Sequence, residues 1–114
     1  MAQHCISNIE PRGAAMVATL HGSLTVANAP DLRHALMDAI KQHKPKTLAL
    51  NLAEVDFIDS SALGVFVEVR REATSHDGCV AMTNLNDDIR GLMRIMHLDS
   101  VFTFLDDISE AVAG

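Results

Sequence analysis

Residues 55–69 read VDFIDSSALGVFVEV, and this stretch contains a predicted transition from strand to helix. Two adjacent serines, Ser60 and Ser61, separate a short apolar segment from a longer one. From residue 60 to about residue 73, apolar side chains recur at the spacing of one helical face, and they are Ala62, Val65, Phe66, Val69 and Ala73. Upstream, TLALNL at residues 47–52 has no charged side chain, which is typical of a central strand covered on both faces. The pattern predicts a buried strand, a loop over residues 53–57, and a helix that begins at the serines.

The segment before this strand predicts a hairpin and a helix. Residues 4–10 and 14–22 are two predicted strands with a short turn between them, which favours an antiparallel hairpin. Asn28 is a suitable cap for the helix that follows, and Pro30 suits its first turn. The apolar face of this helix is formed by Leu32, Ala35, Leu36, Ala39 and Ile40.

The C-terminal half continues the alternation of strands and helices. It predicts a strand at residues 79–84, a helix at 85–98, a short extended segment at 101–106 and a closing helix at 106–114. The helix at 85–98 is expected to turn four apolar side chains inward, namely Ile89, Leu92, Met93 and Met96. This order predicts an α/β fold in one domain over residues 1–114. The predicted sheet is mixed and has four to five strands. The N-terminal hairpin is antiparallel, the other strands are largely parallel, and about four helices pack on the sheet.

Charge and composition exclude several classes of function. Nine basic and fifteen acidic residues give the 114-residue chain a formal charge of −6, which argues against direct binding of nucleic acid.

Cys5 and Cys79 lie in apolar, strand-like segments and are expected to be buried, reduced thiols. No pair of the six histidines has the spacing of a metal site, so neither metal nor cofactor is expected. Without a visible signal peptide or membrane-spanning segment, the protein is expected to be cytoplasmic and to have no membrane partner.

The two serines allow several interpretations. Ser60 is the natural cap for a helix that begins near Ser61 or Ala62, and Asp59 is the alternative cap, with both serines inert. Catalysis by Ser60 would need a base and an oxyanion hole, and the G-x-S-x-G elbow is absent. Asp56 and Asp59, three residues apart in a predicted loop, specify no acid–base geometry. We therefore expect a protein that is not an enzyme.

Three segments together resemble the STAS domain, in particular its anti-sigma factor antagonist branch. Residues 51–69 resemble the signature of that branch, in which D-S-[ST]-G-[LI]-G stands at the head of a helix after an apolar strand. Residues 20–36 (LHGSLTVANAPDLRHAL) resemble the family's second strand, its turn and its first helix. Residues 92–112 (LMRIMHLDSVFTFLDDISEAV) resemble its last helix, strand and helix. A STAS-like domain over nearly the whole chain is therefore expected.

The resemblance implies a partner-switching protein that catalyses nothing itself. The serine that aligns with the family's phosphorylation site is Ser60, and its expected partner is an anti-sigma factor that is also a serine kinase. The unphosphorylated protein would bind this kinase, phosphorylation would end the binding, and a PP2C-type phosphatase would restore it. The expected neighbourhood of the switch is Asp56, Asp59, Ser61, Ala62 and Leu63, and the expected assembly is a monomer or weak dimer.

The sequence departs from the family pattern at two places. Ala62 stands where the family usually has glycine, and Ser23 and Thr25 stand where G-E-L-D often places acidic residues. The alternative function is a non-switching STAS subunit of an ABC-type lipid transport system. Those relatives tend to carry Thr-Gly-Gly in place of Ser60, Ser61 and Ala62.

Two finer expectations concern the start of the helix. The serines should not be equivalent, because Ser60 lies nearer the loop and is more accessible, whereas Ser61 mainly supports the helix. Leu63 and Phe66 should flank the switch, with Leu63 at the rim of a partner surface and Phe66 in the core, since both faces of the first turns are apolar.

Overall fold

The computed structural model describes residues 5–113 and consists of one mixed sheet with four helices in that range. The elements in chain order are β1 (Ile6–Arg12), β2 (Ala15–Leu24), α1 (Ala29–His43), β3 (Thr47–Ile58), α2 (Ser60–Thr74), β4 (Cys79–Thr83), α3 (Asp87–Ile95), β5 (Thr103–Leu105) and α4 (Ile108–Ala113). The strands are ordered β1-β2-β3-β4-β5 across the sheet. β1 and β2 pair antiparallel, and the other neighbours are parallel, so the predicted fold class is confirmed.

The tight turn between β1 and β2 depends on glycine. Gly13 has a φ of 57°, in the left-handed region that other residues rarely adopt. A Cβ atom at this position would also collide with the backbone oxygen of Val112. Gly13 therefore lets the hairpin turn pass directly against the end of α4.

β3 is the central strand, as predicted, but it is longer than the sequence indicates. The predicted loop at residues 53–57 is wrong, because the strand continues to Ile58 beside the second half of β2. The register shifts twice along this pairing, and the buried residues Leu52, Val55 and Ile58 are three apart rather than two. These irregularities conceal the strand from a search for strict alternation.

The two faces of the sheet are covered unequally. A large aliphatic cluster packs α1, α2 and α3 against one face, and Phe66 is fully buried within it. The other face carries a smaller cluster of Ala15, Val17, Ala49 and Ala111, against which other residues of α4 pack. Small side chains on this second face allow the short helix to approach closely.

One polar contact links α1 to α2, and two others hold the loop that precedes α1. Arg33 Nε donates a 2.6 Å hydrogen bond to Glu68 Oε2, and this bond lowers the pKa of the Glu68 carboxylate. Asn28 occupies the N-cap position of α1, but its side chain does not bond to the helix. Its amide instead accepts from Thr25 N and donates to Ser23 O, both at 2.9 Å, and so closes the loop between β2 and α1.

Two predictions about buried side chains are wrong. Met96 is 49% exposed, because α3 ends at Ile95 and the chain turns through His97, which has a φ of 59°. Cys79 is exposed because it is the first residue of β4, whereas Cys5 is buried as expected. Within residues 5–113, no helix is both long and apolar enough to cross a membrane.

Candidate functional site

Asp59 forms the junction between β3 and α2. Its backbone N–H donates to Leu24 O at 3.0 Å, which ties the junction to the end of β2. Its side chain accepts two further bonds, from Ala62 N at 3.1 Å and from Val26 N at 3.0 Å. One carboxylate therefore caps α2 and also holds the β2–α1 loop, residues 25–28.

This geometry corrects the predicted role of Ser60 as the helix cap. Asp59 is the N-cap, with the extended backbone typical of that position, and Ser60 is already the first helical residue. Since the hydroxyl of Ser60 is not needed to cap the helix, the side chain is available for another purpose. The alternative prediction that Asp59 is the cap is confirmed.

The two serines differ in their surroundings. Ser60 is exposed, whereas Ser61 is half-buried. Among residues 5–113, neither hydroxyl has a hydrogen-bond partner. The greater accessibility that we expected for Ser60 is what the structure shows.

Ala62 and Leu63 belong to the core. Ala62 is fully buried and Leu63 is only 5% exposed, so the expectation that Leu63 lies at the rim of a partner surface is wrong. Both side chains join the same apolar cluster as Phe66. The outward side of the helix start is formed by Ser60 and Gly64.

A polar pair and two apolar side chains flank the junction. Ser23 Oγ donates a 2.9 Å hydrogen bond to Asp56 Oδ1, which brings the ends of β2 and β3 together. Val26 and Phe57 are 69% and 54% exposed. No local sequence pattern indicates that Ser23, Val26 and Phe57 all lie near this junction. The only signal for Ser23 was its place in the turn that departs from the family pattern.

The start of α2 is suited to an anion. The first N–H groups of a helix have no partner within the helix, and the aligned peptide dipoles place about half a positive charge there. The first turn of α2 carries no acidic side chain after the Asp59 cap. A phosphate on Ser60 would lie near this positive end of α2, beside the Asp59 carboxylate that already accepts from Ala62 N. Within the described chain, no group of three or more His, Cys, Asp and Glu side chains is arranged to hold a metal ion.

Replacing Asp59 by Ala should lower the free energy of unfolding by about 1–2 kcal/mol, because both the helix cap and the bond to Val26 N are lost. Asp59→Asn keeps one side-chain oxygen and should cost less. Urea unfolding followed by circular dichroism measures both. The matched control is Asp56→Ala, which removes only an exposed bond and should stay within about 0.5 kcal/mol of wild type. Equal losses for the two alanine variants would contradict the bridging role of Asp59.

Comparison with known proteins gives the family. The STAS domain family matches residues 7–111. The anti-sigma-B factor antagonist of Staphylococcus epidermidis is 29% identical over 84 residues, which are 68% of this chain and 77% of that protein. The crystal structure of TM1081 from Thermotoga maritima has a TM-score of 0.84 at 24% identity, with 93% of this chain and 91% of that chain covered.

A third similar protein has been solved in two states. The Bacillus protein SpoIIAA in its phosphorylated form has a TM-score of 0.72 at 22% identity, with 93% of this chain and 96% of that chain covered. Its unphosphorylated form, which is named an anti-sigma factor antagonist, has a TM-score of 0.73 at 21% identity and 93% coverage of each chain. At these identities the solved structures show the shared fold, and the match over residues 7–111 shows the family. This chain belongs to the STAS domain family, and its homologues include proteins named anti-sigma factor antagonists.

Proposed function

We propose that this protein is an anti-sigma factor antagonist whose binding is controlled by phosphorylation of Ser60. The observation that carries the proposal is the exposed hydroxyl of Ser60 at the start of α2, which has no hydrogen-bond partner within residues 5–113 because Asp59 already supplies the cap. The antagonist relatives support the class of partner, and the two solved forms of SpoIIAA support the type of modification. The partner is an anti-sigma factor that is also a serine kinase.

The proposed switch acts on a surface rather than on the fold. A phosphate adds roughly 1.5 to 2 negative charges at neutral pH. The isolated domain tolerates this charge, because it lies at the positive end of α2 and in contact with solvent. A partner pressed over Ser60 would have to remove water from the phosphate near the carboxylates of Asp56 and Asp59. Stripping water from an uncompensated ion costs several kcal/mol, which is equivalent to at least about a hundredfold in affinity.

The rest of the proposed cycle needs no catalysis by this chain. The kinase transfers phosphate to Ser60 and then dissociates, and a PP2C-type phosphatase removes the phosphate. The protein works in the cytoplasm as a monomer or weak dimer. A non-switching subunit of a lipid transporter would instead bind its partner whether or not Ser60 carries phosphate.

Mapping the phosphate in three proteins tests this function. The kinase is recovered by pull-down from cells, and it is then incubated with ATP and the wild type, Ser60→Ala or Ser61→Ala. Mass spectrometry should find phosphate on Ser60 in the wild type and in Ser61→Ala, and no phosphate on Ser60→Ala. Ser61→Ala is the matched control, because it removes the neighbouring hydroxyl. Phosphate on Ser61 in the wild type, or undiminished labelling of Ser60→Ala, would overturn the assignment.

A further inference from the structure

A cleft lies between the carboxyl end of β3 and the start of α3. Its floor is apolar, with Ile58 and Ile89 buried and Leu92 half-buried. The exposed ring of Phe57 forms one wall. Two carboxylates complete the lining, which within residues 5–113 consists of Asp56, Phe57, Ile58, Asp88, Ile89 and Leu92. The cleft therefore combines apolar surface with a purely acidic rim.

The carboxylates at the rim have capacity for a cationic partner. Asp56 uses Oδ1 to accept from Ser23, and its Oδ2 has no partner within residues 5–113. Asp88 is exposed in the first turn of α3, and it forms no ion pair with any residue in the range 5–113. None of the described residues that line the cleft is basic. Lys or Arg in a bound segment would thus meet uncompensated negative charge.

The cleft is continuous with the switch. Residues 56–58, which form part of its lining, lead directly into Asp59 and Ser60. In an extended strand each residue advances about 3.3 Å, so Phe57 and Ser60 lie within roughly 10 Å along the chain. A standard protein interface buries about 800 Å² on each partner and easily covers both. One partner can therefore occupy the cleft and cover Ser60 at the same time.

We propose that this cleft binds a short segment of the anti-sigma factor in which an apolar side chain is flanked by Lys or Arg. This inference rests on the proposed function and names the part of the partner that the surface recognises. The apolar side chain packs against Phe57 and the floor, and the cations meet Asp56 and Asp88. An exposed aromatic side chain in an apolar cleft is the type of residue on which binding energy concentrates. The cleft then provides most of the binding affinity, and phosphorylation of Ser60 determines whether the partner can bind.

The test compares two cleft variants with a matched surface variant. Phe57→Ala should weaken binding of the purified kinase at least about tenfold in isothermal titration, because its ring is a wall of the cleft. Asp88→Asn should weaken binding several-fold at low salt and much less at high salt, since salt screens exposed charges. Ile95→Ala is the control: Ile95 is 75% exposed on the same helix but outside the cleft, and its removal should leave binding unchanged. Thermal unfolding checks that all three variants are folded.

The outcomes separate this inference from the proposed function. If Phe57→Ala and Asp88→Asn bind the kinase as the wild type does, while Ser60 phosphorylation still releases it, the cleft proposal alone is wrong. If both cleft variants lose affinity and Ile95→Ala does not, the cleft proposal stands. If the unphosphorylated wild type binds no such kinase, both proposals are wrong. Loss of affinity in Ile95→Ala equal to that in Phe57→Ala would also overturn the cleft as the specific site.

Discussion

Leu63→Glu should unfold the domain, or at least lower its free energy of unfolding by about 3 kcal/mol or more. Leu63 is 5% exposed and packs in the main core, so the substitution removes buried apolar contacts. Replacing a buried leucine by alanine already costs about 2–5 kcal/mol, and glutamate adds a carboxylate without a partner. Domains of this size are typically stable by only about 5–15 kcal/mol. Urea unfolding followed by far-ultraviolet circular dichroism measures the loss.

Gly64→Ala is a matched control on the same helical turn. Gly64 is exposed, and an added Cβ atom would meet nothing within 4 Å. Alanine is the better helix former, so this variant should gain about 0.5–1 kcal/mol. A Leu63→Glu variant that unfolds at the urea concentration of the wild type would contradict the burial of Leu63. It would restore the earlier expectation of a leucine at the partner surface.

A phosphate on Ser60 should lower affinity for the kinase by at least about a hundredfold without changing the fold. The phosphate lies at the start of α2, where the helix field favours it, so circular dichroism should be nearly the same in both forms. Ser60→Asp should weaken binding by less, because one carboxylate carries a single charge and a phosphate carries nearly two. Ser60→Ala should bind the kinase persistently, because it cannot be phosphorylated at this position. Its stability should be close to that of the wild type, because Asp59 is the residue that caps the helix. Isothermal titration of the kinase with each form gives the affinities.

Regular periodicity made much of the fold predictable. Apolar spacing placed α1 and α2 within a few residues of their observed ends, because both helices bury one continuous side against the sheet. The second half of β3 could not be predicted, since its buried residues are three apart where the register with β2 shifts. α3 was predicted too long at both ends. Asn86, which caps its first turn, and the left-handed backbone at His97 set its ends.

The candidate site was predictable in location but not in detail. The sequence pattern places Asp59 and Ser60 at the strand-to-helix junction, and both residue types are favoured as helix caps. A tertiary contact, the bond from Val26 N to Asp59, distinguishes them, and a single stretch of sequence does not contain it. The cleft beside Phe57 brings β3 and α3 together across about thirty residues of chain. Such a surface follows from the packing of the elements and not from any local pattern.

A titration of the purified kinase with two preparations of the wild-type protein shows whether Ser60 controls partner binding. One preparation is phosphorylated on Ser60, as verified by mass spectrometry, and the other is the same preparation after treatment with a PP2C-type phosphatase. We expect tight binding of the dephosphorylated protein and an affinity at least about a hundredfold lower for the phosphorylated protein. Equal affinities for the two preparations would mean that phosphorylation of Ser60 does not control binding to this partner, and the proposed switch would be wrong.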